Sequence, residues 1–148
     1  EQLARNPDLA RIDREATELM CRRAREMPLA IFNFVEGTRF TPAKREAQQS
    51  PFRHLLRPKA GGVAQVLSRL GDQLDGILDV TLHYANPNPT FWGFLCGQEG
   101  AITLTARHLA VPDWVQGGDY HDDPRYKERF HSWLNALWQE KDQALDSY

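Results

Sequence analysis

The chain has 148 residues, of which 41% are hydrophobic and 26% are charged, and its formal net charge at pH 7 is −2. This length fits a single domain, and the composition excludes a wholly disordered or collagen-like chain. The charge predicts no general affinity for nucleic acid. The two cysteines, Cys21 and Cys96, are far apart in the sequence, which leaves a disulfide framework or a zinc site without support.

Charged residues dominate the first part of the chain, which begins at Glu1 and enters a helical pattern directly. We interpret this start as a segment cut from a longer protein. Apolar residues recur at three- and four-residue spacing over residues 8–27, which predicts an amphipathic helix that ends before Pro28. The apolar run of residues 29–35 is short and rich in aromatic side chains, so it predicts a buried strand.

The segment 38–59 contains three prolines and is predicted to be a loop with short helical turns. Within it, residues 39–59 carry six basic side chains against one acidic side chain, a net charge of +5. Residues 61–70 then predict a short helix. Two strands are predicted at Ile77–Tyr84 and at residues 101–109.

Residues 124–145 form the clearest helix, with one apolar stripe and Pro124 in a first-turn position. The order of the elements predicts a single α/β domain. We expect a small, incomplete mixed sheet of about three strands, flanked by helices and ending in this long amphipathic helix.

Four residues that follow the predicted strand 29–35 carry groups suited to binding an anion. Gly37 allows a sharp turn or the close approach of a ligand, and Thr38 offers a hydroxyl that donates and accepts. The guanidinium of Arg39 is able to grip a phosphate through two parallel hydrogen bonds, while Glu36 would hold Arg39 or a backbone amide in place. The alternative is an ordinary polar turn with a surface ion pair between Glu36 and Arg39.

A longer stretch around these residues resembles a known family. Residues 33–41, Asn-Phe-Val-Glu-Gly-Thr-Arg-Phe-Thr, followed by Lys44, resemble the third conserved block of the glycerolipid acyltransferases, the 1-acylglycerol-3-phosphate acyltransferase family. Residues 56–62 resemble the family's Pro-Lys/Arg-x-x-Gly step into a helix, and Ile77–Tyr84 resembles the strand that follows. Residues 133–142 resemble the C-terminal helix of a bacterial branch. These four blocks cover most of residues 29–142.

The resemblance implies an enzyme that moves an acyl group from a thioester of coenzyme A or acyl carrier protein to a lysophospholipid such as 1-acylglycerol-3-phosphate. It assigns acceptor binding to Glu36, Gly37, Thr38 and Arg39, and we add Lys59 because it lies in a matched block. The family's catalytic His-x4-Asp pair precedes these residues, and no histidine precedes Glu36 here. The chain is therefore predicted to lack the catalytic pair and to be inactive alone. No metal and no cofactor besides the thioester co-substrate are expected.

Expected partners follow from the same resemblance and from the composition of two segments, one basic and one aromatic. The basic segment 39–59 is expected to attract the anionic substrates or to rest on an anionic membrane surface. The full-length protein would then lie at the cytoplasmic face of the inner membrane, and the chain alone would be soluble and able to form a homodimer. Phe91, Trp92 and Phe94 are interpreted as core rather than as an interfacial anchor. The alternative to an enzyme is a non-catalytic module that binds an anion or a partner.

Overall fold

The computed structural model describes residues 15, 16, 19, 22, 23, 30–86 and 89–148. In chain order these contain the helices and strands α1 (Pro42–Ala47), α2 (Ala60–Leu70), β1 (Ile77–Tyr84), α3 (Phe91–Leu95), β2 (Ile102–Leu109) and α4 (Pro124–Leu145), with a short 3-10 helix at Asp113–Val115. The predicted α/β class is confirmed. Five described residues of the predicted helix 8–27 are helical, and the rest of that segment lies outside the described residues.

The described part of the chain contains one sheet, in which β1 and β2 pair antiparallel. Ile77 lies opposite Leu109 at one end of the hairpin, and Tyr84 lies opposite Ile102 at the other. Both strands begin and end within one residue of their predicted bounds. The period-two alternation of side chains explains this agreement, because it is a local property of each strand.

The prediction of a strand over residues 29–35 is wrong for the described residues. Residues 30–34 have no regular secondary structure, and Phe32 and Phe34 are each 87% exposed. A strand needs a neighbouring strand to satisfy its backbone groups. Among its described residues, this segment has one backbone hydrogen bond to a distant part of the chain, from Lys59 N to Val35 O at 2.8 Å, and the chain then turns at Gly37. The described sheet therefore has two strands instead of about three.

The β1–β2 hairpin has an unusual distribution of side chains between its two faces. The face towards α4 is polar: Asp79 contacts Lys141, Arg107 contacts Glu140, and His83 stacks on Tyr148. The opposite face is apolar and exposed among the described residues; it carries Leu78, Val80, Leu82, Tyr84, Ile102 and Leu104. We call this set the open sheet face. The hairpin is thus attached to α4 by its polar side, and at one end Ile77 of the same face packs against the hydrophobic core.

The main core forms where α2 packs against α4 and the 3-10 helix. Its buried members are Phe52, Ala60, Ala64, Leu67, Val115, Tyr126, Phe130, Leu134 and Trp138. The predicted apolar stripe of the last helix supplies four of them, so its interpretation as core is confirmed. α4 begins where predicted because Asp123 accepts hydrogen bonds from the backbone N–H groups of Arg125 and Tyr126, and Pro124 occupies the first turn.

Three successive charged residues near the end of α4 connect it to the other elements. Glu140 accepts a hydrogen bond from Arg107 on β2, at 2.8 Å. Lys141 donates to Asp79 and to a carbonyl oxygen of β1. Asp142 accepts from two successive backbone N–H groups after α1, those of Arg53 and His54, both at 2.7 Å. The last helix therefore fixes the position of both the hairpin and the basic segment.

The interpretation of the aromatic segment as core is also wrong for the described residues. Phe91, Trp92 and Phe94 belong to the short helix α3, between the two strands, and all three are exposed. The described helices include none with the length and apolar character needed to cross a bilayer.

Candidate functional site

Gly37 forms the centre of the candidate site, in a tight turn between residues 30–34 and α1. Its N–H donates to Phe34 O at 2.8 Å, and its φ of +67° lies in the left-handed region that glycine adopts without strain. A Cβ at this position would lie 2.9 Å from Lys59 Nζ, so the lysine side chain packs directly over the glycine. The turn requires a glycine at position 37 because of its positive φ, and the Lys59 side chain packs over it.

Lys44 closes the other side of the turn. Its ammonium donates to Thr38 Oγ1 at 2.7 Å and to the carbonyl oxygen of Arg39 at 3.1 Å. Thr41 makes this possible, because its hydroxyl accepts from Lys44 N and starts α1 there. Lys44 is not among the predicted acceptor-binding residues. Lys44 lies six residues after Thr38 in the sequence, and the short helix α1 brings its side chain back into contact with Thr38. This spacing was the feature of the sequence that could have indicated the contact.

Arg39 is exposed, and within the described residues its guanidinium makes no hydrogen bond or ion pair. It lines an open depression of about 390 Å³ together with Phe34, Gly37 and Thr38. The other arginines of the basic segment are engaged: Arg45 and Arg57 donate to backbone carbonyls, and Arg53 pairs with Asp146. The positive charge that remains available is therefore concentrated around the Gly37 turn.

Glu36 faces away from this depression and is half-buried against the core. Burial raises the pKa of its carboxyl above the ordinary value of 4.5, and the backbone N–H of Leu56, the Trp138 indole and the Lys141 ammonium oppose that rise. The indole contact is weak, because Trp138 Nε1 makes no hydrogen bond of good geometry to the described residues. Glu36 thus connects the turn to α4 and makes no ion pair with Arg39 among the described contacts.

Glu36→Gln is expected to raise the melting temperature at about pH 7 and to leave it unchanged at about pH 4. The folded-state pKa of Glu36 lies above its unfolded value of 4.5, so its contribution to stability is complete below that value. That contribution is lost as the pH rises through the folded-state pKa. Thermal unfolding at both pH values tests this, with the exposed Glu46→Gln as the control. A lower melting temperature of Glu36→Gln at pH 7 would show that the favourable contacts outweigh burial.

Comparison with known proteins gives several relatives. Human 1-acyl-sn-glycerol-3-phosphate acyltransferase delta is 29% identical over 147 aligned residues, which cover 92% of this chain and 36% of that protein. The 2-acyl-1-lysophosphatidylinositol acyltransferase of Saccharomyces cerevisiae is 25% identical over 131 residues, covering 82% of this chain and 33% of its own length. The chain is similar to lysophospholipid acyltransferases.

A third acyltransferase relative, mouse 1-acyl-sn-glycerol-3-phosphate acyltransferase gamma, is 27% identical over 124 residues, or 78% of this chain and 31% of that protein. The chain spans about a third of the length of each of these acyltransferases. No family model matches it, and no solved structure matches it either. The matched part includes most of the chain, which agrees with the resemblance first noted around Arg39.

Proposed function

We propose that this chain is the C-terminal, acceptor-binding part of a longer glycerolipid acyltransferase of the bacterial branch. The acceptor would be a lysophospholipid such as 1-acylglycerol-3-phosphate, and the acyl donor a thioester of coenzyme A or acyl carrier protein. The observation that carries this proposal is the group of three cations, Arg39, Lys44 and Lys59, around the Gly37 turn.

A phosphate monoester fits this arrangement for a physical reason. Three cations beside one turn repel one another, and no described carboxylate enters the depression, because Glu36 is directed towards the core. A doubly charged phosphate would remove that repulsion, with the fork of Arg39 as its main ligand. Phe34, 87% exposed at the edge of the depression, offers an apolar surface for the glycerol or acyl part of the acceptor.

Acyl transfer to such an acceptor needs a base that this chain does not supply in the expected place. The base would take the proton of the acceptor hydroxyl, whose oxygen attacks the thioester carbonyl and releases the thiolate. No histidine precedes Glu36, so we infer that the His-x4-Asp pair belongs to another part of the full-length protein and that this chain is inactive alone. The proposed reaction needs no metal or resident cofactor, and its setting is the cytoplasmic face of the inner membrane.

Arg39→Ala in the full-length protein tests the proposal. We expect kcat/KM for 1-acylglycerol-3-phosphate to fall by about tenfold to a hundredfold, chiefly through KM, because a charge-assisted hydrogen bond to phosphate contributes about 1.5–3 kcal/mol. Arg125→Ala, an exposed arginine in the first turn of α4, is the matched control and should change neither constant. Unchanged acceptor use by Arg39→Ala would contradict the assignment of this site.

A non-catalytic anion-binding module is the second candidate, because the cation group is present here without a preceding histidine. Two measurements separate the candidates: acyl transfer by the full-length protein, and binding of 1-acylglycerol-3-phosphate to this chain by titration calorimetry. Binding that depends on Arg39, in a full-length protein without acyl transfer, would favour the module. Acyl transfer that depends on Arg39 would favour the enzyme.

A further inference from the structure

The short helix α3 presents four large apolar side chains to solvent. Phe91 is 69% exposed, Trp92 73% and Phe94 59%, and Leu95 is exposed as well. We call these four residues the aromatic tip. Scattered exposed apolar residues are normal on proteins, but four of them within one helical turn and a half form a contiguous patch that needs a physical explanation.

The aromatic tip is held in place by polar groups on its inner side. Glu99 is 4% exposed, and its carboxylate accepts hydrogen bonds from Thr90 N at 2.8 Å, from Thr90 Oγ1 and from Asn86 Nδ2 at 2.6 Å. Thr90 in turn caps α3 by accepting from Gly93 N at 2.9 Å. A Cβ on Gly93 would collide with the Glu99 carboxylate, so the helix lies close to it. This support fixes the apolar side chains outward, which is the opposite of collapse into a core.

The segment that carries the aromatic tip has no ionised side chain of its own, and Glu99, which follows it, is buried beneath α3. From residue 80 to residue 98 the sequence contains no aspartate, glutamate, lysine or arginine. The tip follows the end of the hairpin at which Tyr84 and Ile102 pair, and both of these belong to the open sheet face. The open sheet face residues named above and the aromatic tip therefore include no charged side chain that would have to be desolvated.

We propose that the aromatic tip inserts into the outer, interfacial layer of a lipid bilayer. Tryptophan and phenylalanine are favoured at that depth, and the hydrocarbon boundary tolerates no unpaired charge, which matches the charge-free segment. A charged rim around the patch would favour a protein partner, and residues 80–98 supply no charged side chain for such a rim. The inference goes beyond the proposed function, because it needs no residue of the Gly37 turn and no acyl transfer. Since the patch is uncharged, the insertion is insensitive to salt.

Cys96, which is exposed directly after α3, provides a reporter. With Cys21 replaced by serine it is the sole cysteine of the chain and can carry an environment-sensitive fluorophore. On mixing with neutral phosphatidylcholine vesicles we expect the fluorescence to rise at low and high salt alike, and lipids brominated near the headgroup to quench it. A fluorophore at Ser132→Cys on the exposed side of α4, with both native cysteines replaced by serine, should not respond.

Phe91→Ser combined with Trp92→Ser should weaken vesicle binding by about tenfold or more, because it removes two of the inserted side chains. Phe32→Ser is the matched control: it removes an even more exposed ring outside the aromatic tip and should leave binding unchanged. Circular dichroism verifies the fold of each variant. Arg39→Ala should also bind vesicles like the unmodified chain, so failure of the acceptor site and failure of this inference give different results.

Three results would overturn the inference. The first is a chain that does not bind neutral vesicles, and the second is a Phe91/Trp92 variant that binds them as tightly as the unmodified chain. The third is a stable dimer of the unmodified chain that the Phe91/Trp92 variant dissociates, without quenching by brominated lipid, since the occupant of the patch would then be a second copy.

Discussion

Phe130→Ala is expected to lower the free energy of unfolding by about 3–5 kcal/mol. The Phe130 side chain is fully buried in the first third of α4, and its ring is surrounded by four aromatic rings. The ring centroids of Trp133 and Tyr126 lie 5.3 and 6.0 Å away, and those of Trp114 and Tyr120 both lie 6.1 Å away. Such rings are too rigid to fill the space left by a smaller side chain, so the loss includes a cavity as well as the lost apolar burial. Urea denaturation followed by circular dichroism measures the change.

Phe32→Ala is the matched control for this variant. It removes the same ring from a position that is 87% exposed, and we expect a change of less than about 0.5 kcal/mol. The comparison isolates burial, because the two substitutions are chemically identical. Similar losses for the two variants would show that the aromatic cluster around Phe130 is not the stabilising core of the chain.

Asp79→Ala should lower the free energy of unfolding by about 3 kcal/mol. Asp79 Oδ2 accepts from Arg107 Nε at 2.9 Å, and its other carboxylate oxygen accepts from Lys141 Nζ. Lys141 is 8% exposed, so removal of the carboxylate leaves a buried ammonium with one remaining acceptor, the carbonyl oxygen of Val80. The cost of an unpaired buried charge exceeds the modest value of an exposed ion pair. Urea denaturation at about pH 7 gives the difference directly.

Two further variants test whether the loss of stability in Asp79→Ala comes from the buried ion pair. Glu140→Gln removes the exposed partner of Arg107 and should cost less than about 1 kcal/mol. Asp79→Val combined with Lys141→Met replaces both charges by apolar groups and should recover much of the stability lost in Asp79→Ala. The role assigned to this pair fails if Asp79→Ala is no more destabilising than Glu140→Gln.

The sequence correctly predicts the helices and strands in which apolar residues recur at a regular spacing along the segment. α2, β1, β2 and α4 lie within one residue of their predicted bounds, because amphipathic spacing and turn residues are properties of each segment alone. Residues 29–35 have the composition of a buried strand, but a strand also requires a partner in space. The described residues supply none next to Phe32 and Phe34, and no local pattern contains that information.

The candidate site was predictable in part. The positions of Gly37, Thr38 and Arg39 follow from one short motif, and the positive φ of Gly37 agrees with its expected turn. The contact of Lys44 with Thr38 depends on where α1 begins, and the inward direction of Glu36 depends on the packing of α4, so neither could be read from the motif. Contacts between residues far apart in the chain are set by the tertiary fold, as in the Asp79–Lys141 pair.

The β1–β2 hairpin, with its apolar face towards solvent, is expected to promote association of this chain at high concentration. Its apolar side chains face solvent, and among the described residues each strand is paired along one edge alone. At the unpaired edge of either strand, an extended segment of another molecule can add as a further strand and cover part of the apolar face. A net charge of −2 provides little repulsion against that growth. Leu78 and Leu104, the two most exposed residues of the open sheet face, are therefore the positions where a charged side chain would keep the chain in solution at least cost to its fold.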